Sequence, residues 1–176
     1  LFRSGEDGKY ASSLVCRSIL DALGTYEMRG TNVLEDLANM VSYTLSKCNS
    51  VIYKKYGAVS SGVCGTTCSC IIMDKENYIT LHVGDSSVFG VRSYMYAKLT
   101  VDHTLTQEKL NKGIITEEQA KTDPSRHTIV RAVGISKHLQ VDVSEVMPHK
   151  YKAYLLTSDG YSEFLTIDRV NEVYNG

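Results

Sequence analysis

Apolar residues in the first third of the chain recur at helical spacing. In "ASSLVCRSILDAL", residues 11–23, Ala11, Leu14, Val15, Ile19, Ala22 and Leu23 fall on one stripe, the pattern of an amphipathic helix. Gly24 supplies a stop. A second stripe of Leu34, Leu37, Val41, Leu45, Cys48 and Ile52 predicts a helix from about Val33 toward Tyr56. Asn32 followed by Glu35 gives it a capping-box-like start. Each helix has one apolar face that a sheet or another helix must cover.

The period then shortens. "GTTCSCIIM", "YITLHVG", "SSVFGVR" and "YMYAKLT" are short runs rich in Thr, Ile, Val and Tyr, the composition of strands. "DKEN" at 74–77 joins the first two as a hairpin. No crossover helix separates the four runs, which predicts an antiparallel meander. Residues 104–134 are polar and helical in pattern. Thr116-Glu117-Glu118-Gln119 reads as a capping box, and Pro124 interrupts the run. Strands return in "LQVDVSEV" and "KAYLLTS", followed by a helix near Gly160 and another from about Thr166. The order predicts an α+β domain, with helices packed on antiparallel sheet.

Composition narrows the classes. A chain of 176 residues is one domain with room for a real core. The formal net charge of -1 gives no basis for a nucleic-acid partner. No apolar run reaches membrane-spanning length and no signal peptide is visible, so no membrane contact is expected. The five cysteines form no even framework, which points to reduced thiols and a cytoplasmic location. Cys64, Cys68 and Cys70 lack a second Cys/His pair at zinc-finger spacing. Cys68 and Cys70 share one face of a strand and read as small buried thiols. The twelve tyrosines scatter and suggest no aromatic box.

Two carboxylates stand where apolar strands stop. Asp159 follows "AYLLTS" and Asp85 follows "LHVG". A charge in such a place must be solvated, paired or metal-bound. Asp-Gly is also common turn chemistry, and Asp85 would serve equally as a turn acceptor beside Ser86 and Ser87. If both strands lie in one sheet, their ends can converge. Two Asp residues with open coordination suit a hard cation such as Mg²⁺ or Mn²⁺.

Four ordered blocks, within a match over roughly residues 8–174, resemble the metal-dependent protein serine/threonine phosphatases of the PP2C type, in their compact bacterial branch. They are "GTTCSCIIM", "LHVGDSSVFGVR", "LTVDHTLTQEKLNKGIITEEQAKTDPSRHTIVRAVG" and "LLTSDGYSEFL". Ser87 stands where the family usually has Arg. The resemblance implies a central antiparallel β-sandwich flanked by helices (αββα), with a flap over about 104–134. It implies hydrolysis of phosphoserine and phosphothreonine in proteins, the substrates of a Ser/Thr kinase. Two principal Mg²⁺ or Mn²⁺ ions would share and activate the attacking water, with a third, weaker ion beside them. Asp159 matches a carboxylate of the metal cluster. Asp85 matches the carboxylate that joins it at the third ion.

The departures from the family are as informative. The N-terminal Arg and the Asp-Gly-x-Gly-Gly block are not present, and "SGEDGKYASSLV" resembles the stretch just after them. Asp7-Gly8 lacks the glycine pair that would make it the missing block. The family's closing Asp-Asn pair would lie well beyond Gly176, and Asp168 reads as a helix cap. The sequence therefore reads as a single PP2C-like domain over 1–176, incomplete at both ends. No residue is assigned a catalytic role. The alternative is a catalytically inactive relative acting as a binding or regulatory module. His103 reads as a general acid or as a structural histidine fixing the loop before the flap. Asp102 reads as a loop or cap residue. Arg126 and Arg131 read as phosphate-steering or as solvated or ion-paired, and His127 as solvated or ion-paired.

Overall fold

The computed structural model describes residues 6–27, 32–57, 64–92 and 95–162. The helix expected from Thr166, and Asp168 within it, lie outside the described residues.

Helix α1 spans Glu6–Gly24 and α2 spans Val33–Tyr56. The bounds of α2 are those its periodicity predicts. Glu35 and Asp36 sit in its first turn, and Lys54 and Lys55 in its last, each sign opposing the helix dipole. The expected capping box does not form. The Asn32 side chain donates to Glu35 Oε2 at 3.0 Å but takes no backbone N–H. On the buried stripe, Ala38 lies deeper than Leu37, and Asn49 joins it at 1% exposed. On α1, Ala11 and Val15 are buried, whereas Leu23 is exposed, as is Leu20.

Strands β1 (Cys68–Met73) and β2 (Asn77–Val83) form the predicted hairpin. The Asp74 carboxylate closes its turn by accepting the Glu76 and Asn77 N–H groups at 2.8 and 2.7 Å. Alternate residues of β2 point to opposite faces. Ile79, Leu81 and Val83 meet the helices in one core with Val15, Val41, Leu45 and Ile52. Each such burial contributes about 1.5–3 kcal/mol. Tyr78, Thr80 and His82 point the other way and are buried too, so β2 lies inside the domain on both faces.

The four runs do not make one meander. Strands β3 (Ser87–Arg92) and β4 (Met95–Lys98) belong to a second sheet of order β4-β3-β7, where β7 is Ala153–Thr157. Two short strands, β5 (Asp142–Val143) and β6 (Met147–Pro148), complete the first sheet beside β2. All pairings are antiparallel. The tyrosines are less scattered than their spacing suggests. Tyr78 of the first sheet meets Tyr154 of the second at 5.1 Å between ring centroids. His149 joins them, donating from Nε2 to the Asp74 carbonyl and accepting the Tyr154 O–H at Nδ1. On β3, Gly90 lets the Tyr151 ring lie against the backbone, where a Cβ would come within 2.4 Å of it. Among the described residues, α1 and α2 cover one of two facing antiparallel sheets, which gives the expected α+β class, while a helix layer on the second sheet's outer face is not among the described residues.

Residues 104–134 hold α3 (Leu105–Asn111) and α4 (Glu117–Ala120). The Thr116–Gln119 capping box is formed in both directions. Asp123 is the hub of this segment. Its carboxylate accepts from the Thr106 hydroxyl, the Lys109 ammonium and the Ser125 N–H. These bonds, Thr106's first, pull its pKa down to about 2. The segment returns to the first sheet through the Thr66–Val133 bridge. Among the described residues no helix is long and apolar enough to cross a membrane.

Candidate functional site

The chain passes from one sheet to the other at Gly84-Asp85-Ser86, between β2 and β3. Gly84 has φ of +112°, and a Cβ there would lie 2.3 Å from Thr67 Cγ2. Only glycine fits both the backbone angle and the space. The turn is held from two sides. On the β1 side, Ser69 donates its hydroxyl to the Ser86 carbonyl at 2.7 Å, and Thr67 Oγ1 meets Ser86 Oγ at 2.8 Å. With its proton so used, Ser69 Oγ accepts from His82 Nδ1 at 3.0 Å. That leaves His82 Nε2 bare, buried and without a partner among the described residues.

On the other side, His103 grips Gly84 twice. Its backbone N–H donates to the Gly84 carbonyl at 2.8 Å, and its Nδ1 accepts the Gly84 N–H at 2.9 Å. Nε2 therefore carries the ring proton and donates to Asp142 Oδ2 at 3.0 Å. Arg131 bonds the other Asp142 oxygen. Burial opposes the Asp142 charge, but His103 and Arg131 outweigh it and hold the carboxyl below its usual range. His103 is thus a buried structural group, and Arg131 is ion-paired. Asp102 is paired too, with Lys98 at 2.6 Å.

The ladder between β3 and β7 places the two candidate ligands. Ser87 pairs with Thr157 at the end of an antiparallel register. Asp85 lies two residues before Ser87, and Asp159 two residues after Thr157. Both therefore emerge at the same end of the second sheet. Asp85 is half-buried and Asp159, opening the short helix α5 (Asp159–Ser162), is exposed. The carboxylates do not end strands of one sheet, as the meander implied. Asp85 closes a strand of the first sheet and Asp159 a strand of the second, and the register brings them together. Burial pushes the Asp85 carboxyl up, and the Asp159 charge adds to that rise. Asp102 pushes the same way, and His127 works against them. Two facing carboxylates whose charges repel offer oxygen ligands to a hard cation. Among the described residues, however, no group of three or more His, Cys, Asp or Glu side chains could hold a metal ion. The pair fits one share of a metal site.

Beside the pair, an open cleft of about 540 Å³ runs between α1, β1 and the end of β7. Its walls include Thr67, Ser86 and Ser158, neighbours of the two aspartates. The hydroxyl bonds of Thr67, Ser69 and Ser86 were not foreseen from the sequence. The signal was the hairpin itself, since its register sets Ser69 opposite His82.

The family model for Protein phosphatase 2C matches residues 2–175. The Serine/threonine phosphatase stp of Listeria monocytogenes serotype 4b is 27% identical over 168 residues, covering 94% of this chain and 66% of that protein. The solved structure of the serine/threonine phosphatase Stp1 from Staphylococcus aureus superposes with a TM-score of 0.77 at 23% identity, over 92% of this chain and 63% of that one. The catalytic domain of the serine threonine protein phosphatase PstP, solved in complex with 2 manganese ions, gives a TM-score of 0.68 at 24% identity, over 93% of this chain and 66% of that one. The chain thus spans just under two thirds of the length of each.

Proposed function

The chain belongs to the protein phosphatase 2C family, and from that premise we propose that it serves the hydrolysis of phosphoserine and phosphothreonine in proteins. The observation that carries this reading is the β3–β7 register, which sets Asp85 and Asp159 at one sheet end. Those two residues would hold Mg²⁺ or Mn²⁺. Asp159 would contribute to the divalent cluster that lowers the pKa of a water and offsets the negative phosphoryl group, and Asp85 would join it at a weaker ion. The remaining parts position the pair. Gly84 makes the turn that presents Asp85, and His103 fixes that turn from below. Ser69 and Thr67 hold its far side. Residues 104–134, the expected flap, lie beside Asp85 through His127, whose charge acts on that carboxyl. Phosphorylated proteins made by a Ser/Thr kinase are the substrates this reading calls for.

The test is Mn²⁺ binding to this chain by electron paramagnetic resonance, paired with phosphate release from a phosphothreonine peptide. Two carboxylates hold a hard cation weakly, so saturation is expected only at high Mn²⁺. Asp85→Asn and Asp159→Asn should each weaken binding, and Asp159→Asn should abolish Mn²⁺-dependent release. Unchanged binding in both variants would remove the pair from the metal site. A second reading, a non-catalytic module of the same fold, is favoured by the lack of a third ligating side chain among the described residues. Its signature is Mn²⁺ binding that both substitutions weaken, with no turnover.

A further inference from the structure

The five cysteines are all reduced, but they are not equivalent. Cys48 and Cys64 lie in the core, and Cys64 donates its thiol to the Asp7 carbonyl at 3.1 Å. Cys68 and Cys70 are different. They sit on the helix-facing side of β1, only half-buried, and form part of the wall of the open cleft. Their Sγ atoms are 3.6 Å apart. The reading of these two as small buried thiols gives way here, because the cleft admits solvent to them.

We propose that Cys68 and Cys70 form an oxidisable dithiol, which a hydroperoxide converts to an intrastrand disulfide. The Cys70 thiolate attacks the outer peroxide oxygen. The O–O bond breaks, Cys70 becomes a sulfenic acid, and the alcohol or water leaves. The Cys68 sulfur then attacks the Cys70 sulfur. The S–S bond forms, the S–O bond breaks, and water departs with the remaining thiol proton. Two electrons pass from the two thiols to the peroxide, and no other oxidant is required.

The geometry of the strand and the chemistry of the two thiols support this proposal. The Cys68 S–H hydrogen bond lowers the Cys70 pKa, while the same bond and burial raise that of Cys68. A lowered pKa marks the attacking thiol. Alternate residues of a strand have Cα atoms about 6.7 Å apart, just inside the disulfide limit of about 6.8 Å. The sulfurs must close from 3.6 Å to bonding distance, about 2.05 Å, which puckers the strand. A bond under such strain is readily reduced. Cys16, exposed on α1 and lining the same cleft, is the competing thiol.

The experiment treats the reduced chain with stoichiometric tert-butyl hydroperoxide, blocks remaining thiols with N-ethylmaleimide under denaturing conditions, and maps the peptides by mass. The expected result is loss of two of the five thiols, with the peptide holding Cys68 and Cys70 lighter by two hydrogens. Dithiothreitol should restore both. In Cys68→Ser, dimedone should trap a sulfenic acid on Cys70, and in Cys70→Ser the same dose should leave Cys68 unmodified. Oxidation that falls first on Cys16, a Cys16–Cys68 link, or a dithiol intact at a dose that consumes Cys16 would each overturn the proposal. The wild-type peptide map decides the question even if a variant fails to fold.

Discussion

Replacing His103 by Phe keeps the ring and removes both nitrogens. His103 is 5% exposed, so nothing from solvent takes their place. The Gly84 N–H, which donates to Nδ1 at 2.9 Å, is left buried without a partner, at a cost of about 1–3 kcal/mol. The bond to Asp142 is charge-assisted, and such bonds contribute about 1.5–3 kcal/mol. Asp142 is 44% exposed and keeps Arg131, so we discount this loss to about 1 kcal/mol. The total expected destabilisation is about 3 kcal/mol. In urea unfolding, with a slope of about 2 kcal/mol per molar, the midpoint should fall by about 1.5 M. Two further variants split the sum. His103→Asn places an amide oxygen near the Nδ1 position and should keep the Gly84 bond, losing the Asp142 share. His103→Gln places its amide near Nε2 and should lose the Gly84 share. A His103→Phe midpoint within about 0.5 M of wild type, or an Asn variant as unstable as the Phe variant, would refute the account of how the Asp85 turn is held.

Other consequences are equally direct. Burial first, and the neighbouring His103 second, push the His82 pKa down to about 4 from 6.5. The unfolded chain therefore binds this proton first, so stability is full above about pH 6.5 and falls as pH drops toward 4, by about 3 kcal/mol. His82→Asn should flatten that part of the urea-midpoint profile, and an unchanged slope would exclude His82 as its source. Asn49→Ala should destabilise by about 2–4 kcal/mol, because Asn49 accepts the Gly134 N–H at 2.7 Å and donates to the Ser136 carbonyl at 3.0 Å. Calorimetric unfolding would measure this, and a loss below about 1 kcal/mol would mean these groups find other partners. Gly84→Ala forces a side chain into Thr67 at positive φ and should cost at least about 2 kcal/mol. Thr67→Gly in the same chain should recover part of that cost, and no recovery would place the strain in the backbone alone.

Local patterns carried much of the fold. The bounds of α2, the Asp74 hairpin and the Thr116 cap each depend on a few neighbouring residues, and each formed as its spacing implies. What depended on distant partners was hidden. Asn49 interrupts an apolar stripe for no local reason, since its partners lie beyond Val133. The division of four strand runs into two sheets turns on Gly84, whose positive φ answers to Thr67 and not to its own neighbours. Asp85 and Asp159 were legible as strand-end carboxylates and as family matches. That they emerge at one sheet end follows from β3 choosing β7, which no periodicity records. His103 offered two roles in the sequence, and only its contacts with Gly84 and Asp142 select the structural one.

The pairing of β3 with β7 has a temporal side. The α1–α2 pair and the β1–β2 hairpin join segments close in the chain, and their closure entropy is small. The second sheet must wait until residue 87 finds residue 157, across the whole of residues 104–134. Contacts of that separation form late in folding. Until they do, Asp85 and Asp159 belong to separate parts of the chain and repel nothing. The carboxylate pair is therefore a product of a long-range closure. In hydrogen exchange, amides of β7 should report the opening that takes the pair apart, while those of β2 remain protected.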